Sequence, residues 1–278
     1  MPAPAKVSAR LVGGLKQFQT IVESAKARDV NESDTVVLLT GILSEVLGYD
    51  KYTDITTEMS IRGTYCDLAL KINGNVKLLL EAKAIGLELK EAHVKQAVDY
   101  ASNKGIDWVI LSNGVTWKIF KMVFTKPIQS ILVCEIDFLK LNHKNKDHIE
   151  LLYLLTKEGV TKDSLEEFYV QKQATNKYML GNLLAQENVL NSIRKELRSI
   201  YPDIKVTLEE ILSVLTQDVI KREILEGEEA EESRKKINKA LRKKERSKLE
   251  RSSSSNSATE PASVEPAEVV DLSPEQAG

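Results

Sequence analysis

Three carboxylates in apolar surroundings are the side chains of this sequence best suited to chemistry: Glu45, Asp67 and Glu81. Acidic residues are rarely buried without a partner, because desolvating an unpaired carboxylate is costly. A hard divalent cation removes that cost, and Mg²⁺ takes its oxygen ligands from one or two carboxylates while keeping waters. Lys83 follows Glu81 by two residues, so in a strand both side chains point the same way. Its ammonium can balance the carboxylates, hold an attacking water or stabilise charge developing on a phosphate.

The elements that must position these residues follow from the apolar spacing. A 3.6-residue period predicts two helices, and a capping cluster over 31–34 precedes the second of them. The pattern then changes to strict alternation, which is typical of strands. The predicted helices span 7–27, 35–47 and 87–104, and the predicted strands span 55–61, 66–72, 76–83, 108–111, 116–124 and 128–136.

This element order predicts an α/β fold with a mixed central sheet flanked by helices. The connection from the third strand through a helix to the fourth should be parallel and right-handed. A two-residue loop at Asn73-Gly74 would put Asp67 and Glu81 on opposite faces of the hairpin. We therefore predict an odd loop, Ile72-Asn73-Gly74, with a bulge and a left-handed glycine, which places Asp67 opposite Leu79.

The same residues resemble the PD-(D/E)xK nuclease signature. Asp67 is followed fourteen residues later by Glu81-Ala82-Lys83 at the end of the next strand. Glu45 on the preceding helix matches an extra acidic residue of many members. Gln96 and Tyr100 match the Gln-x-x-x-Tyr motif of the RecB-like branch. Within that group, residues 31–50 are similar to the N-terminal nuclease domain of type I restriction enzyme R subunits, and the resemblance covers roughly residues 7–140.

The resemblance implies a restriction-endonuclease-like fold and Mg²⁺-dependent cleavage of DNA phosphodiesters, with Mn²⁺ as a possible substitute and restriction or phage defence as the setting. Asp67 and Glu81 would be metal ligands, with the carbonyl of Ala82 as a candidate third, and Lys83 would be the catalytic lysine. Glu45 would assist the metal site. Gln96 and Tyr100 would position the site or bind DNA.

The sequence also departs from the family pattern. Cys66 stands where the nominal motif has proline, and replacement of that proline is common in this fold. The chain contains no G-x-x-x-x-G-K-[ST] loop, so we expect a domain of the restriction type without a helicase motor. Two other tripeptides, Glu88-Leu89-Lys90 and Asp203-Ile204-Lys205, mimic the motif but do not end an acid-bearing strand hairpin.

Simpler interpretations stand beside these. Asp67, Glu81 and Lys83 could form a structural ion pair, and Glu45 could lie at the rim of the domain. Gln96 and Tyr100 are four residues apart on a helix and would meet on any amphipathic face. The alternative function is a non-catalytic DNA- or protein-interaction module that keeps the nuclease fold, and an RNA nuclease is a third hypothesis. The net charge of −2 does not by itself indicate a nucleic-acid binder.

Length and composition set the remaining expectations. The 278 residues allow one or two domains, and the ordinary composition excludes collagen, a disulfide scaffold and wholesale disorder. No apolar run approaches the roughly 18–20 residues of a membrane span, so we expect a cytoplasmic protein that does not enter a membrane. Cys66 and Cys134 should be reduced packing residues.

Changes in composition divide the chain into three segments: a nuclease-like domain over 1–145, a helical region over 146–225, and a charged, largely disordered tail over 226–278. In the tail, five glutamates precede a basic stretch from Arg234 to Arg251. That stretch is either a solvated helix face or a surface for phosphate or a partner. A protein partner would bind through 146–251, and a homodimer is a further hypothesis.

Overall fold

The computed structural model describes residues 2–61 and 64–255 of the chain. The chain divides into two compact units, Met1–Lys172 and Gln173–Gly278. This boundary differs from the three predicted segments, because the helices over 146–172 join the first unit. The three-segment division itself stays a prediction, and the expected disorder at 256–278 falls outside the described residues.

A six-stranded mixed sheet forms the centre of the first unit, as the sequence predicts. The strands lie in sequence order, and β3 and β4 are parallel while all other neighbours are antiparallel. Their bounds are β1 Ile55–Ile61, β2 Thr64–Ile72, β3 Asn75–Ala82, β4 Trp108–Ser112, β5 Thr116–Val123 and β6 Gln129–Asp137. The parallel pairing of β3 and β4 confirms the predicted direction of this connection.

Helices flank this sheet. Their bounds are α1 Ala5–Ala27, α2 Glu32–Gly41, α3 Lys95–Lys104, α4 Lys146–Tyr153, α5 Lys157–Thr161 and α6 Ser164–Ala174. The Asn31 side chain accepts a hydrogen bond from the backbone N–H of Asp34, which confirms the predicted cap of α2. The helix predicted from residue 87 starts later, with a 3₁₀ turn over Glu91–Val94 before α3. It ends, as predicted, at Gly105, whose φ is +67°.

Apolar cores cover both faces of the sheet. Alternation along β3 sends Leu78 and Leu80 into the larger core with α1 and α2, and sends Leu79 into a second core with α3. Burying each such leucine stabilises the fold by about 1.5–3 kcal/mol relative to exposure. By the same alternation, Glu81 emerges on the α3 side.

The β2–β3 hairpin differs from its predicted geometry. The loop has two residues, Asn73 and Gly74, with φ of +51° and +79°, and Ile72 pairs with Asn75. Asparagine and glycine tolerate the left-handed conformation that this turn requires. The predicted three-residue loop and the pairing of Asp67 with Leu79 are therefore wrong.

A bulge in β3 nevertheless restores the alignment that the carboxylates need. The register shifts between Leu70 and Lys71, which leaves Lys77 as the extra residue on β3. Beyond the bulge Leu68 pairs with Leu80. One step further along this register, position 67 faces position 81, so the two acidic residues lie side by side on neighbouring strands.

The second unit is helical, as predicted for the C-terminal region. Its helices are α7 Lys177–Leu184, α8 Glu187–Ile200, α9 Leu208–Val214, α10 Arg222–Leu225 and α11 Glu228–Ser255. Thr207 and Glu210 form a capping box at the start of α9. The long helix α11 occupies much of the segment for which the sequence predicts disorder. Among the described residues, no helix has the length and apolar character needed to cross a membrane.

Candidate functional site

Asp67, Glu81 and Lys83 converge at the carboxyl end of β3. Asp67 Oδ2 accepts a hydrogen bond of 2.7 Å from the backbone N–H of Ala82. Lys83 Nζ donates to Glu81 Oε1 at 2.8 Å and to the carbonyl oxygen of Ala82 at 2.6 Å. Two carboxylates, one carbonyl and one ammonium therefore meet within a few residues of two adjacent strands.

Glu81 is the most enclosed member of this cluster. Its residue is only 5% exposed, and the side chain of Lys83 is 16% exposed. One carboxylate oxygen, Oε1, is paired with Lys83, whereas the buried Oε2 has no hydrogen-bond partner. Buried carboxylate oxygens are normally satisfied, so an unpartnered one marks a place where a further ligand would be stabilised.

The ionisation of the pair reflects this enclosure. Burial raises the pKa of Glu81, and the charges of Asp67 and Glu32 add to that increase, while the Lys83 ammonium opposes it. Burial also works against the charged form of Lys83, but its hydrogen bond to Glu81 and the nearby carboxylates outweigh this, so its pKa is raised. Lys83 is therefore an ammonium at neutral pH.

The raised pKa of Glu81 predicts a pH dependence of stability. A carboxyl group that binds its proton more tightly in the folded state contributes stability at low pH and loses it as pH rises through its raised folded pKa. In EDTA, the free energy of unfolding of wild type minus that of Glu81→Gln should therefore fall as the pH rises above 4.5, the ordinary pKa of a glutamate. Urea unfolding of both proteins measures this difference, and a difference that increased with pH would contradict the assignment.

Glu32 is a member of the cluster that sequence reasoning missed. Its Oε1 lies 3.4 Å from Lys83 Nζ, and its side chain is 50% exposed. The loop before α2 lies against the segment after β3, because the Ile85 N–H donates to the Val30 carbonyl at 3.3 Å. Glu32 thereby approaches a lysine that is 51 residues away along the chain. An acidic residue in the first turn of a helix is ordinary, so the sequence carries no signal for this role.

The backbone around Lys83 is held by the turn between β4 and β5. The Lys83 N–H donates to the Ser112 carbonyl at 2.9 Å, which extends the parallel ladder past the end of β3. Buried Asn113 donates from Nδ2 to the carbonyls of Ile85 and Leu87 at 3.2 and 2.9 Å. Its Oδ1 accepts from two N–H groups of its own turn, at 3.1 and 2.8 Å. One amide side chain thus links that turn to the loop after the lysine.

The structure places Glu45 in an exposed position. It lies in a single π-helical turn, Ile42–Val46, and accepts a hydrogen bond of 3.4 Å from Gln17 Nε2. Burial is one-sided along α2 and this turn, since Val37 on α2 is also 71% exposed. Glu45 therefore lacks the burial on which its inclusion as a site residue rested.

Gln96 and Tyr100 lie on α3 in contrasting environments. Gln96 is exposed, whereas Tyr100 is 1% exposed within the second core, and its hydroxyl has no hydrogen-bond partner. Burial and the neighbouring Cys66 raise the pKa of Tyr100. Burial raises the pKa of the Cys66 thiol to about 12, so this thiol is a packing group, as expected, and not a nucleophile. Tyr100 thus lies near Cys66 of β2, which is the residue directly before Asp67.

The donor atoms that the carboxylates and the Ala82 carbonyl offer a metal are all oxygens. The described part of the chain contains no group of three or more His, Cys, Asp or Glu side chains placed to hold a metal ion. Mg²⁺ does not need such a group, since it is commonly held by one or two carboxylates together with waters and substrate phosphate oxygens. Asp67, the unpartnered Glu81 Oε2 and the Ala82 carbonyl are all oxygen donors, so the residues present fit Mg²⁺.

Comparison with known protein families adds one independent observation. Residues 38–135 match the family model of the type I restriction enzyme R protein N terminus. The matched stretch therefore resembles that domain, and it contains Asp67, Glu81 and Lys83 while Glu32 lies just outside it. Comparisons with curated proteins and with solved structures give no significant match.

Proposed function

We propose that the first unit is a Mg²⁺-dependent nuclease of the PD-(D/E)xK type, in the RecB-like branch, that hydrolyses DNA phosphodiester bonds. The observation that carries this proposal is the buried, unpartnered Oε2 of Glu81 beside Asp67 and the Lys83 ammonium. The resemblance to a restriction enzyme domain supports DNA as the substrate. The setting would be restriction or phage defence in the cytoplasm.

Each residue has a distinct part in this proposal. Asp67 and Glu81 hold the ion, and the Ala82 carbonyl is a candidate third donor. When bound, Mg²⁺ or Mn²⁺ lowers the pKa of a water and offsets the negative charge of a phosphate. Lys83 presents a protonated amine that donates hydrogen bonds to phosphate or water oxygens as negative charge develops.

Glu32 takes the auxiliary acidic role that the sequence assigns to Glu45. Its carboxylate reaches Lys83 Nζ from α2, whereas Glu81 pairs with the same nitrogen from β3. The negative charge of Glu32 helps to keep the amine protonated. Gln96 and Tyr100 remain the proposed positioning residues on α3. Tyr100 packs beside Cys66, near the start of β2.

One observation favours the second candidate, a non-catalytic interaction module that keeps the fold. Lys83 is already paired with Glu81 at 2.8 Å and with Ala82 at 2.6 Å, as a structural ion pair would be. Under that hypothesis, binding to DNA or protein is independent of metal and no strand is cut. The two candidates are separated by cleavage and not by binding.

The test is a cleavage assay with the full chain. Supercoiled plasmid, linear duplex, single-stranded DNA and RNA are incubated with Mg²⁺, Mn²⁺ or EDTA. We expect nicked or linear plasmid with either metal and intact plasmid in EDTA. Cleavage of RNA alone would contradict the DNA assignment, and intact substrates under every condition would favour the interaction module.

A further inference from the structure

The helix α11 presents a continuous basic face that the nuclease site does not use. Between Arg234 and Arg246 the chain has eight lysines and arginines and one acidic residue, Glu245. Lys235, Lys239, Arg242 and Arg246 recur at a spacing that places them on one stripe of the helix. These side chains are exposed.

The opposite face of α11 is packed. Ala230, Ser233 and Ile237 are buried, and Leu241 is partly buried, against neighbours in the second unit that include α7. At 3.6 residues per turn, the centres of the packed and basic stripes lie about 165° apart. The fold therefore fixes one face of α11 inward and directs the basic stripe to solvent.

Helix electrostatics alone do not account for this stripe. Glutamates at the start of α11 suit the positive end of the helix dipole, but that effect is confined to the terminal turns. Like charges three and four residues apart repel one another in mid-helix. Within the described side chains of α11, the ion pair available to the stripe is Lys235 with Glu231, at 4.0 Å. The charges would be better compensated by an external polyanion.

We infer that this basic stripe docks duplex DNA through its phosphates, an inference that rests on the proposed nuclease function. From Lys235 to Arg246 the stripe is about 16 Å long. Duplex DNA presents one phosphate charge per roughly 1.7 Å of its axis, so several phosphates lie within its reach. A membrane surface is a poorer match, because a membrane-binding helix needs an apolar face open to the bilayer and that of α11 is packed. The stripe thus provides sequence-independent binding in addition to the site on the sheet.

The experiment measures binding of a labelled 30-base-pair duplex by fluorescence anisotropy in EDTA, where cleavage does not interfere. The test variant is Lys239→Gln/Arg242→Gln/Arg246→Gln in the full chain. Its matched control, Lys26→Gln/Lys51→Gln/Lys144→Gln, removes the same charge from exposed positions of the first unit. Glutamine is close to lysine and arginine in helix propensity, so α11 should persist, and circular dichroism checks this.

We expect the test variant to bind at least about tenfold more weakly at 0.1 M salt, with a salt slope lower by up to about 2.7, at roughly 0.9 per phosphate contact. The control should bind like wild type. Equal affinity of the two variants, or no binding by wild type, would overturn the inference. Displacement of the duplex by polyglutamate as readily as by unlabelled duplex would also overturn it, in favour of an acidic protein partner.

Failure here is distinguishable from failure of the proposed function. If wild type cleaves DNA with Mg²⁺ while both variants bind the duplex with equal affinity, the nuclease proposal is supported and the proposed role of α11 is wrong. If wild type never cleaves but the test variant alone loses DNA binding, α11 keeps its role as a docking surface and the catalytic proposal falls.

Discussion

Lys83→Ala is expected to reduce plasmid cleavage at saturating Mg²⁺ by at least about 100-fold, the scale seen when one preorganised charge stabiliser is removed from an active site. The reason is local. Lys83 Nζ is the cation within 3.4 Å of both Glu81 and Glu32, at the place where the proposed phosphate would sit. Initial rates of nicking at several Mg²⁺ concentrations measure the loss.

Lys205 offers a matched control for this experiment. It ends Asp203-Ile204-Lys205, a tripeptide with the same pattern of acid, apolar residue and lysine, but it lies in an exposed loop before α9. Lys205→Ala should cleave at the wild-type rate. A Lys83→Ala protein that is folded and retains full activity would remove lysine from the mechanism and favour the structural ion pair.

Glu81→Gln is expected to abolish the stabilisation of the first unit by Mg²⁺. For wild type, Mg²⁺ at ten times its dissociation constant should add about 1.4 kcal/mol to the free energy of unfolding. This corresponds to a rise in Tm of roughly 3–6 °C for a unit of this size. The variant keeps the shape of the side chain but replaces the unpartnered anionic oxygen with an amide group, so its Tm should not respond.

Thermal unfolding in EDTA and in increasing Mg²⁺ measures this effect. Asp203→Asn serves as the control, since it removes one carboxylate from the look-alike motif. Lys83→Ala should keep the response to Mg²⁺, because the carboxylates that hold the ion remain. A Glu81→Gln protein that gains as much stability from Mg²⁺ as wild type does would place the ion elsewhere.

The sequence predicts the fold well because its signals are local. Alternation identifies the strands, Asn73-Gly74 and Asn113-Gly114 mark turns, and the apolar run over Trp108–Ser112 gives a strand buried on both faces. The meeting of Asp67 and Glu81 was also predictable, because Asp67 lies near the start of β2 and Glu81 near the end of β3, on neighbouring strands of one hairpin. The loop length was not predictable, because a bulge at Lys77 corrects the alignment that a different loop was expected to provide.

The acidic partner from the helices could not be predicted in the same way. Glu45 was predicted as a site residue because its neighbours in sequence are apolar. Whether it is buried depends on which side of the helix meets the sheet. Glu32 has polar neighbours and gives no signal, yet the backbone contact between Val30 and Ile85 brings it to Lys83. Long-range approaches of this kind arise from packing, which no local pattern encodes.

The shared hydrogen bonding of Asn113 makes the β4–β5 turn a remote support of the lysine. Because the same amide binds the carbonyls of Ile85 and Leu87 and the N–H groups of its own turn, separating the two segments breaks two hydrogen bonds. Slow amide exchange should therefore be shared by the two segments, and grafting the acidic hairpin onto another sheet would also require transplanting this distant turn.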